Sequence, residues 1–344
     1  MDKIFCITGV SGQDGSYAAE ILLEIGCTVI GLTRNKSKKY KNLINIINKN
    51  GFKLIETNYS ENSLSEIINL NNVSHIINFC GQSYVSKSWE MIEETIFSKS
   101  LIVSRIINII RKSAKEIRLL NACSSEIFGE SDSTIDEFSN LSPCNPYGSS
   151  QLLSFSLIKS IREYANIWAS SAILFPHESL RRDDNFLFMR ILHQVDAVNE
   201  NKSNSIDIGN DFVIRDWGFA LDFVYCMILM ILSDVPEDLC ICTGQGNTVK
   251  EFTKSICEEY QIDYDNVINI NKSLSRSYEP VKIIGNNKKL LKTLSIEPPL
   301  KMRETIKTII SNRKRLMLDK EVIDKSTDYI SENKFKILKN LIFN

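Results

Sequence analysis

Residues 7–15 of the chain read ITGVSGQDG, with Gly9, Gly12 and Gly15 spaced three residues apart. Glycines at this spacing permit a tight turn, a close approach of the backbone to a ligand, and close packing of the following helix. A strand pattern precedes the stretch and a helical pattern over 16–25 follows it, so free amides at the helix start would face an anion. The stretch predicts a dinucleotide pyrophosphate site; a purely structural turn is the alternative.

Short apolar runs alternate with amphipathic segments through the first half of the chain. Such alternation predicts an α/β fold with a doubly wound parallel sheet of the Rossmann type. The pattern loosens after residue 175, so we predict a dinucleotide-binding domain over 1–175 and a smaller C-terminal substrate-binding lobe over 176–344, with some exchange of chain between them. The strand patterns cover 4–8, 28–32, 53–57, 75–79, 118–122, 169–175 and 240–242, and the helical patterns cover 16–25, 63–69, 97–113, 186–198, 220–233 and 249–260.

The composition is that of an ordinary globular protein. The 344 residues are 43% hydrophobic, and 41 Lys and Arg against 42 Asp and Glu leave a net charge of −1. No positive field supports binding to nucleic acid or a membrane surface, and no apolar run reaches the ~18 residues of a membrane span. The nine cysteines and three histidines show no zinc-ligand spacing, so no metal site is expected. The first residues read as a strand rather than a signal peptide, and we expect a reducing cytoplasm.

The residues after the second strand pattern bear on which dinucleotide is bound. Rossmann proteins that select NAD place a carboxylate there, on the ribose hydroxyls. This chain instead has Arg34, followed by Lys36, Lys38 and Lys39. A cation suits a 2′-phosphate, so NADP is favoured over NAD; a solvated basic loop is the alternative.

Two further stretches make the pattern more specific. Residues 122–129 read ACSSEIFG and residues 142–151 read SPCNPYGSSQ. With the glycine loop they resemble the extended short-chain dehydrogenase/reductases. Residues 12–17 (GQDGSY), 177–182 (HESLRR) and 215–218 (RDWG), together with Arg276 and Glu279, narrow the resemblance to the GDP-mannose 4,6-dehydratase family over roughly residues 1–300.

This resemblance implies a lyase that makes a 4-keto-6-deoxy GDP-sugar with an internally recycled NADP. Hydride leaves carbon 4, water is lost across carbons 5 and 6, and the hydride returns to carbon 6. Tyr147 would accept the carbon-4 hydroxyl proton, and Ser124 would hydrogen-bond that hydroxyl. Glu126 would remove the carbon-5 proton and help expel the carbon-6 hydroxyl. The alternative for residues 124–126 is a helix cap followed by an acid in the first turn.

The resemblance also assigns binding residues. Those for the cofactor are Gly9, Gly12, Gln13, Asp14, Gly15, Arg34, Asn58, Gln82, Tyr147, His177 and Arg182. Those for the GDP-sugar are Ser83, Glu178, Arg190, Arg215, Arg276 and Glu279. Arg215 and Arg276 would bind the diphosphate and Glu279 the ribose; a local Arg215–Asp216 ion pair is the alternative. Trp217 is expected to pack in the core, and a homodimer or homotetramer is implied.

One departure from the family pattern concerns the catalytic tyrosine. The family carries a lysine four residues after it, which holds the nicotinamide ribose and whose charge favours the ionised phenol. This chain has Gln151 there, which can hydrogen-bond but is uncharged. We place Gln151 among the catalytic residues, and the sequence leaves open whether Lys87 or Lys99 supplies the charge.

Other departures concern the ligand contacts. Pro176 stands where the family has a substrate-contacting Asn, Asn58 where it has an Asp on the adenine, and residues 188–190 are less polar than in the family. A modified GDP-sugar such as a GDP-heptose therefore stays open. So do a GDP-sugar 4-dehydrogenase or epimerase, which would have no use for Glu126, and a catalytically weakened GDP-sugar-binding homologue, which Gln151 suggests.

Overall fold

The computed structural model describes residues 3–275, 279–319 and 323–343. A seven-stranded parallel sheet lies at its centre. The strands are, in chain order, β1 (Ile4–Thr8), β2 (Thr28–Thr33), β3 (Phe52–Glu56), β4 (His75–Asn78), β5 (Arg118–Ser124), β6 (Ala169–Leu174), β7 (His177–Glu178), β8 (Ile206–Ile208), β9 (Ile214–Arg215), β10 (Gly218–Phe219), β11 (Leu239–Ile241), β12 (Asn247–Thr248), β13 (Ile268–Ile270) and β14 (Lys282–Ile283). The sheet order is β11-β6-β5-β4-β1-β2-β3, which confirms the predicted fold class.

Helices connect these strands. They are α1 (Gln13–Glu24), α2 (Glu61–Leu70), α3 (Ile92–Ile96), α4 (Ile102–Lys112), α5 (Pro146–Ala165), α6 (Leu187–Asn199), α7 (Ala220–Leu232), α8 (Val249–Glu259), α9 (Tyr264–Val267), α10 (Lys288–Leu294), α11 (Met302–Asp319) and α12 (Glu332–Phe343). A π-helical turn, Phe97–Leu101, joins α3 to α4. A 3-10 turn, Ser125–Ile127, follows β5. No helix among the described residues is long and apolar enough to cross a membrane.

The strands of the sheet are apolar because helices cover both of its faces. Every residue of β4 and β6 is buried, and strands buried on both faces read as continuous apolar runs rather than alternating ones. This is why each of the seven strand patterns that form the sheet lies within two residues of its strand.

The sheet order reverses between β1 and β4, which are neighbours in the sheet but not in the chain. Loops at the carboxyl ends of such a pair diverge and leave a crevice in which α/β proteins bind ligands. Here the loop after β1 approaches the loop after β4, since a Cβ on Gly9 would lie 2.9 Å from the carbonyl carbon and oxygen of Phe79. The fold therefore places the predicted pyrophosphate loop at this crevice.

The second half of the chain contributes small sheets and one strand of the central sheet. β12, β9 and β14 form a three-stranded sheet, and β7 pairs with β10 and β8 with β13. β11 pairs with β6 and becomes the edge strand of the central sheet. The boundary at residues 175 and 176 stays a prediction.

The 20-residue helix α5 is one that the sequence patterns do not predict. Its buried face includes Gly148, Ser150, Gln151 and Ser154 alongside Phe155, so small and polar residues interrupt the apolar periodicity that identifies a helix. Its start does carry a signal, because Asn145 accepts a hydrogen bond from the Gly148 amide and a proline occupies the first turn.

Candidate active site

A cleft of about 1220 Å³ opens at the carboxyl edge of the central sheet. Small-molecule sites occupy roughly 300–1,000 Å³, so this cleft has room for more than one ordinary ligand. Apart from Asn58 and Arg276, every predicted site residue lines it. Asn58 is exposed and its Oδ1 accepts from the Ser60 amide, whereas the adjacent Tyr59 lines the cleft. Arg276 lies outside the described residues.

The glycine loop forms a cradle with no room for side chains. Gly9 has a φ of +65°, and a Cβ on Gly15 would lie 2.4 Å from the Gly9 carbonyl oxygen. Gly12 is the N-cap of α1 and provides no side-chain cap. The first amides of the helix therefore remain available to a ligand. This geometry fits a pyrophosphate.

Asp14 and His177 form a pair on the wall of the cleft beside this loop. His177 Nδ1 contacts the Phe175 carbonyl oxygen at 2.7 Å, and Nε2 contacts the Asp14 carboxylate at 3.1 Å. Both partners offer acceptor oxygens, and the two contacts fix the orientation of the imidazole ring in the wall of the cleft. Burial alone would raise the pKa of Asp14, but the charge and hydrogen bond of His177, aided by Arg182, hold that pKa below its ordinary value.

Glu178 and Arg182 leave unsatisfied polar atoms in the same wall. Arg182 Nε lies 3.4 Å from Glu178 Oε2, and neither atom has a hydrogen-bond partner among the described residues. Burial raises the pKa of Glu178, which the charges of Arg182 and His177 only partly offset. Buried polar atoms without partners are costly, so this wall fits a ligand that brings polar groups.

The candidate catalytic groups come from β5 and α5. Ser124 is the last residue of β5, and its Oγ accepts from the Glu126 amide at 3.2 Å. The cap that was the alternative interpretation of this stretch thus exists, and both side chains nevertheless line the cleft. Tyr147 lies in the first turn of α5, and Gln151 Nε2 donates to its hydroxyl oxygen at 3.0 Å. Ser124, Glu126 and Tyr147 therefore share one cavity.

Asn145 is a site residue that the sequence analysis missed. Its Oδ1 caps α5 by accepting from the Gly148 amide at 2.8 Å, while its Nδ2 donates to Glu126 Oε2 at 2.8 Å. One side chain thus fixes the helix that carries Tyr147 and orients the carboxylate. The Asn-Pro pair at 145 and 146 was the available signal for the cap, but not for the second contact.

Replacements of Asn145 should separate these two contacts. Ser can keep the cap but cannot donate to Glu126 as the amide does, and Ala loses both. We expect Asn145→Ala to lower the free energy of unfolding by about 0.5–2 kcal/mol in urea titrations, with Asn145→Ser close to wild type. A hydrogen bond to a charged group contributes about 1.5–3 kcal/mol, so both variants should lose about 10- to 100-fold in kcat. A stable Asn145→Ser variant with wild-type turnover would show that the contact to Glu126 is dispensable.

Arg215 and Glu279 also line the cleft, and their Nη2 and Oε1 lie 3.3 Å apart. The neighbouring Asp216 is buried, and its carboxylate accepts from the amides of Thr243 and Gly244 at 2.9 Å. Trp217 is buried and stacks on an aromatic ring of α8 with centroids 4.5 Å apart, as expected for core packing. The Asp216 carboxylate therefore binds backbone amides, and Arg215, which pairs with Glu279, lines the cleft.

The remaining predicted residues also line the cleft. Arg34, after β2, has a 64% exposed side chain that forms an ion pair with Glu94 at 3.0 Å. Gln82, after β4, donates through Nε2 to the Tyr84 carbonyl oxygen at 2.9 Å. Ser83, next to Gln82, and Arg190, on α6, line the same cleft.

Comparison with known proteins agrees with this geometry. The sequence model of the family described as GDP-mannose 4,6 dehydratase matches residues 6–309. GDP-mannose 4,6 dehydratase 1 of Arabidopsis thaliana is 29% identical over an alignment of 333 residues that covers 93% of this chain and 92% of the relative. GDP-mannose 4,6 dehydratase of Cricetulus griseus is 34% identical over an alignment of 263 residues that covers 73% of this chain and 71% of the relative.

Solved structures share the fold at lower identity. A UDP-glucuronic acid 4-epimerase from Bacillus cereus aligns with a TM-score of 0.80 at 16% identity, covering 91% of this chain and 99% of the epimerase. A dTDP-glucose 4,6-dehydratase from Bacillus anthracis aligns with a TM-score of 0.77 at 15% identity, covering 93% of this chain and 100% of the dehydratase. With the family match over most of its length, the chain belongs to the GDP-mannose 4,6-dehydratase family.

Proposed function

We propose that the protein is a hydro-lyase that converts a GDP-sugar, GDP-mannose first among the candidates, to its 4-keto-6-deoxy product. The observation that carries this proposal is the convergence of Tyr147, Ser124 and Glu126 on the cleft that also receives the glycine loop. An alcohol oxidation followed by an elimination needs a base at the oxygen and a second base at the neighbouring carbon. The names of the relatives, GDP-mannose 4,6 dehydratases, support the same reaction.

The residues of this chain would divide the proton transfers between them. A bound nicotinamide supplies a reversible hydride acceptor. Tyr147 would accept the proton of the carbon-4 hydroxyl, and Ser124 would donate to or accept from the same oxygen. The resulting ketone acidifies the carbon-5 proton, which Glu126 would remove and then deliver to the departing carbon-6 hydroxyl. Asn145, through its contact with Glu126 at 2.8 Å, would hold the carboxylate in place.

The test is to incubate the purified protein with GDP-mannose and a catalytic amount of NADP, and to follow the sugar by mass spectrometry. We expect a product lighter by one water and no net reduction of the cofactor. Net reduction without loss of water would overturn the proposal in favour of a 4-dehydrogenase. Nucleotide binding without any turnover of several GDP-sugars would overturn it in favour of a binding homologue.

We also propose that the dinucleotide is NADP. Arg34 lines the cleft at the end of β2, where a carboxylate would select NAD, and its guanidinium can hold a 2′-phosphate through paired donors. The ion pair with Glu94 would orient the guanidinium and compete with the phosphate for it.

Binding titrations of two variants should test this preference. We expect Arg34→Ala to weaken NADP binding by about 10- to 100-fold, since a hydrogen bond to a charged group contributes about 1.5–3 kcal/mol, and to leave NAD binding nearly unchanged. Glu94→Gln removes the competing carboxylate, so NADP should bind at least as tightly as in wild type. Equal losses for NADP and NAD in Arg34→Ala would contradict the assignment.

We propose that the protein forms a homodimer or homotetramer in a reducing cytoplasm. Apolar side chains are exposed at Ile92 and Ile96 on α3, at Leu101 on the π-turn and at Leu153 on α5, and α3 packs against α5. Clustered apolar exposure is typical of association surfaces, and light scattering can measure the mass. All nine cysteines are free thiols, which suits a reducing compartment.

A further inference from the structure

Lys99 is a buried cation inside the cleft. Its exposed fraction is 7%, and it lies on the π-turn Phe97–Leu101. Its Nζ lies 5.5 Å from the centroid of the Tyr147 ring. The other lysine that the sequence left open, Lys87, lies over the ring of Tyr84 instead, 4.7 Å from its centroid. A π-turn interrupts the regular hydrogen-bond ladder of a helix and is frequent at functional sites. The turn here brings a cation to the proposed base.

Hydrogen bonds fix the π-turn to the helix that carries Tyr147. Ser154 Oγ, on α5, donates to the Lys99 carbonyl oxygen at 2.9 Å. Ser100 Oγ lies 2.7 Å from Ser150 Oγ, also on α5. These hydroxyls are buried and therefore have few alternative partners. Lys99 and Tyr147 are held in a defined relation by the packing of the two segments.

The stem of the Lys99 side chain occupies space that a glycine provides. Gly81, after β4, has a φ of +122°, and a Cβ there would lie 2.6 Å from Lys99 Cδ and 2.7 Å from Cε. Any other residue at this position would strain the backbone and displace the lysine. The path of the Lys99 side chain into the cleft thus depends on the loop that follows β4.

Groups around the ammonium do not neutralise it. Within the described residues, no carboxylate forms an ion pair with Lys99. Two titratable groups that interact electrostatically with it are Cys80, after β4, and Cys123, on β5. Burial raises the pKa of Cys123 to about 12 and also raises the pKa of Cys80. Both thiols are therefore neutral near pH 7 and provide no counter-charge to the ammonium.

The other charged and titratable groups nearby are engaged elsewhere or uncharged. Arg34 and Glu94 form an ion pair with each other at 3.0 Å. Glu126 accepts from an amide of the α5 cap at 2.8 Å. Burial raises the pKa of Tyr59, after β3, so this phenol is neutral. An uncompensated buried ammonium is costly, and the aromatic ring of Tyr147 is the group that it faces.

We propose that Lys99 supplies the positive charge that favours ionisation of Tyr147 when it acts as the base, in place of the lysine that the family carries at the position of Gln151. This inference rests on the proposed function. A nearby cation favours the charged form of a phenol by about one to three pH units. Gln151 supports the same oxygen by its hydrogen bond at 3.0 Å. Lys99 is thus a positioning residue that acts through Tyr147, and the charge has moved from α5 to the π-turn.

The pH dependence of turnover is the first test. In Lys99→Met, the acid limb of the kcat/KM profile should move about one to three units to higher pH, with a corresponding loss of about 10- to 1,000-fold at pH 7. Lys99→Arg should keep the limb near that of wild type. Lys112→Met is the matched control, because Lys112 ends α4 and is exposed in an ion pair with Glu61.

A charge exchange and a direct titration complete the test. Lys99→Gln combined with Gln151→Lys returns one cation to α5 and should restore the acid limb, which a merely structural role of Lys99 would not allow. The absorbance of tyrosinate, taken as the difference between each protein and its Tyr147→Phe counterpart, gives the midpoint of Tyr147 ionisation without turnover. We expect that midpoint to rise by about one to three units in Lys99→Met.

The outcomes separate this inference from the proposed function. An unchanged midpoint and an unchanged acid limb in Lys99→Met would overturn the role of Lys99, even if the protein dehydrates GDP-mannose. A raised midpoint in a protein that turns over no GDP-sugar would support Lys99 and overturn the proposed function instead. If circular dichroism shows that Lys99→Met does not fold, the variant that combines Lys99→Gln with Gln151→Lys is the deciding test. Failure of this variant to restore the acid limb of the kcat/KM profile would count against the proposal.

Discussion

Glu126→Gln should reduce the loss of water from GDP-mannose by about 10²–10⁴-fold, the usual contribution of a general acid–base group. Gln has no basic carboxylate to accept the carbon-5 proton, yet its side-chain oxygen can still accept from Asn145 as Glu126 Oε2 does. The shape of the site should therefore persist. Tyr147 and Ser124 are unchanged in this variant, so oxidation at carbon 4 should continue and stop at the ketone.

Two measurements distinguish this outcome from a general loss of function. Mass spectrometry should show little product lighter by one water, while absorbance should show reduced cofactor accumulating with GDP-mannose. Glu130→Gln is a suitable control, because Glu130 is an exposed carboxylate four residues further along. Wild-type dehydration in Glu126→Gln would remove Glu126 from the mechanism. If Glu126→Gln loses both cofactor reduction and dehydration, the carboxylate acts in substrate binding or in the oxidation at carbon 4.

The parts of the site that the sequence predicts are those set by local structure. The glycine loop is recognisable because a tight turn and a close backbone approach need glycine wherever the loop lies, and Gly9 and Gly15 meet both needs here. Strand patterns are recognisable for a similar reason, since burial on both faces leaves a continuous apolar run. Ser124 and Glu126 follow a strand of this kind, which places them at the carboxyl edge where the cleft opens.

The parts that the sequence does not predict depend on contacts between distant segments. Lys99 and Tyr147 are 48 positions apart, and only the packing of the π-turn on α5 brings the ammonium to the ring. The α5 helix itself is hidden because its buried face uses serine hydroxyls that bond to that turn. The second contact of Asn145, to Glu126, likewise exists only in the folded chain. Gln151 by itself suggested a weakened base, whereas in the structure the ammonium of Lys99 lies over the Tyr147 ring.

Arg181 is a buried structural residue within a motif that has other residues lining the cleft. It belongs to the HESLRR stretch that supported the family resemblance, yet it is 1% exposed and lies in the core. Its Nη2 donates to Glu20 Oε2 at 2.5 Å, its Nε donates to Asp324 Oδ1 at 3.3 Å, and its guanidinium stacks 3.9 Å from the centroid of the Tyr17 ring. Asp324 lies beyond residue 309, where the family match ends, so this cluster ties a segment outside the match to α1.

Arg181→Met should therefore destabilise the protein by about 3–5 kcal/mol, because it leaves Glu20 and Asp324 buried without their counterion. Natural domains have about 5–15 kcal/mol of stability in total, so the variant should unfold at much lower urea concentration than wild type. Arg303→Met is the control; its ion pair with Glu258 is exposed, and such pairs contribute about 0–1 kcal/mol.

A compensated variant shows whether charge or packing explains the loss. Combining Arg181→Met with Glu20→Gln and Asp324→Asn removes the uncompensated charges, and replacing a whole buried ionic group is often close to neutral. We expect this triple variant to recover much of the lost free energy of unfolding. Failure to recover would mean that the specific hydrogen bonds, including that from the Ser326 amide to Glu20 Oε1 at 2.9 Å, hold the C-terminal segment to α1. Because α1 follows directly on the glycine loop, the NADP affinity of the same triple variant, compared with that of wild type, should measure how far the cleft depends on this buried cluster.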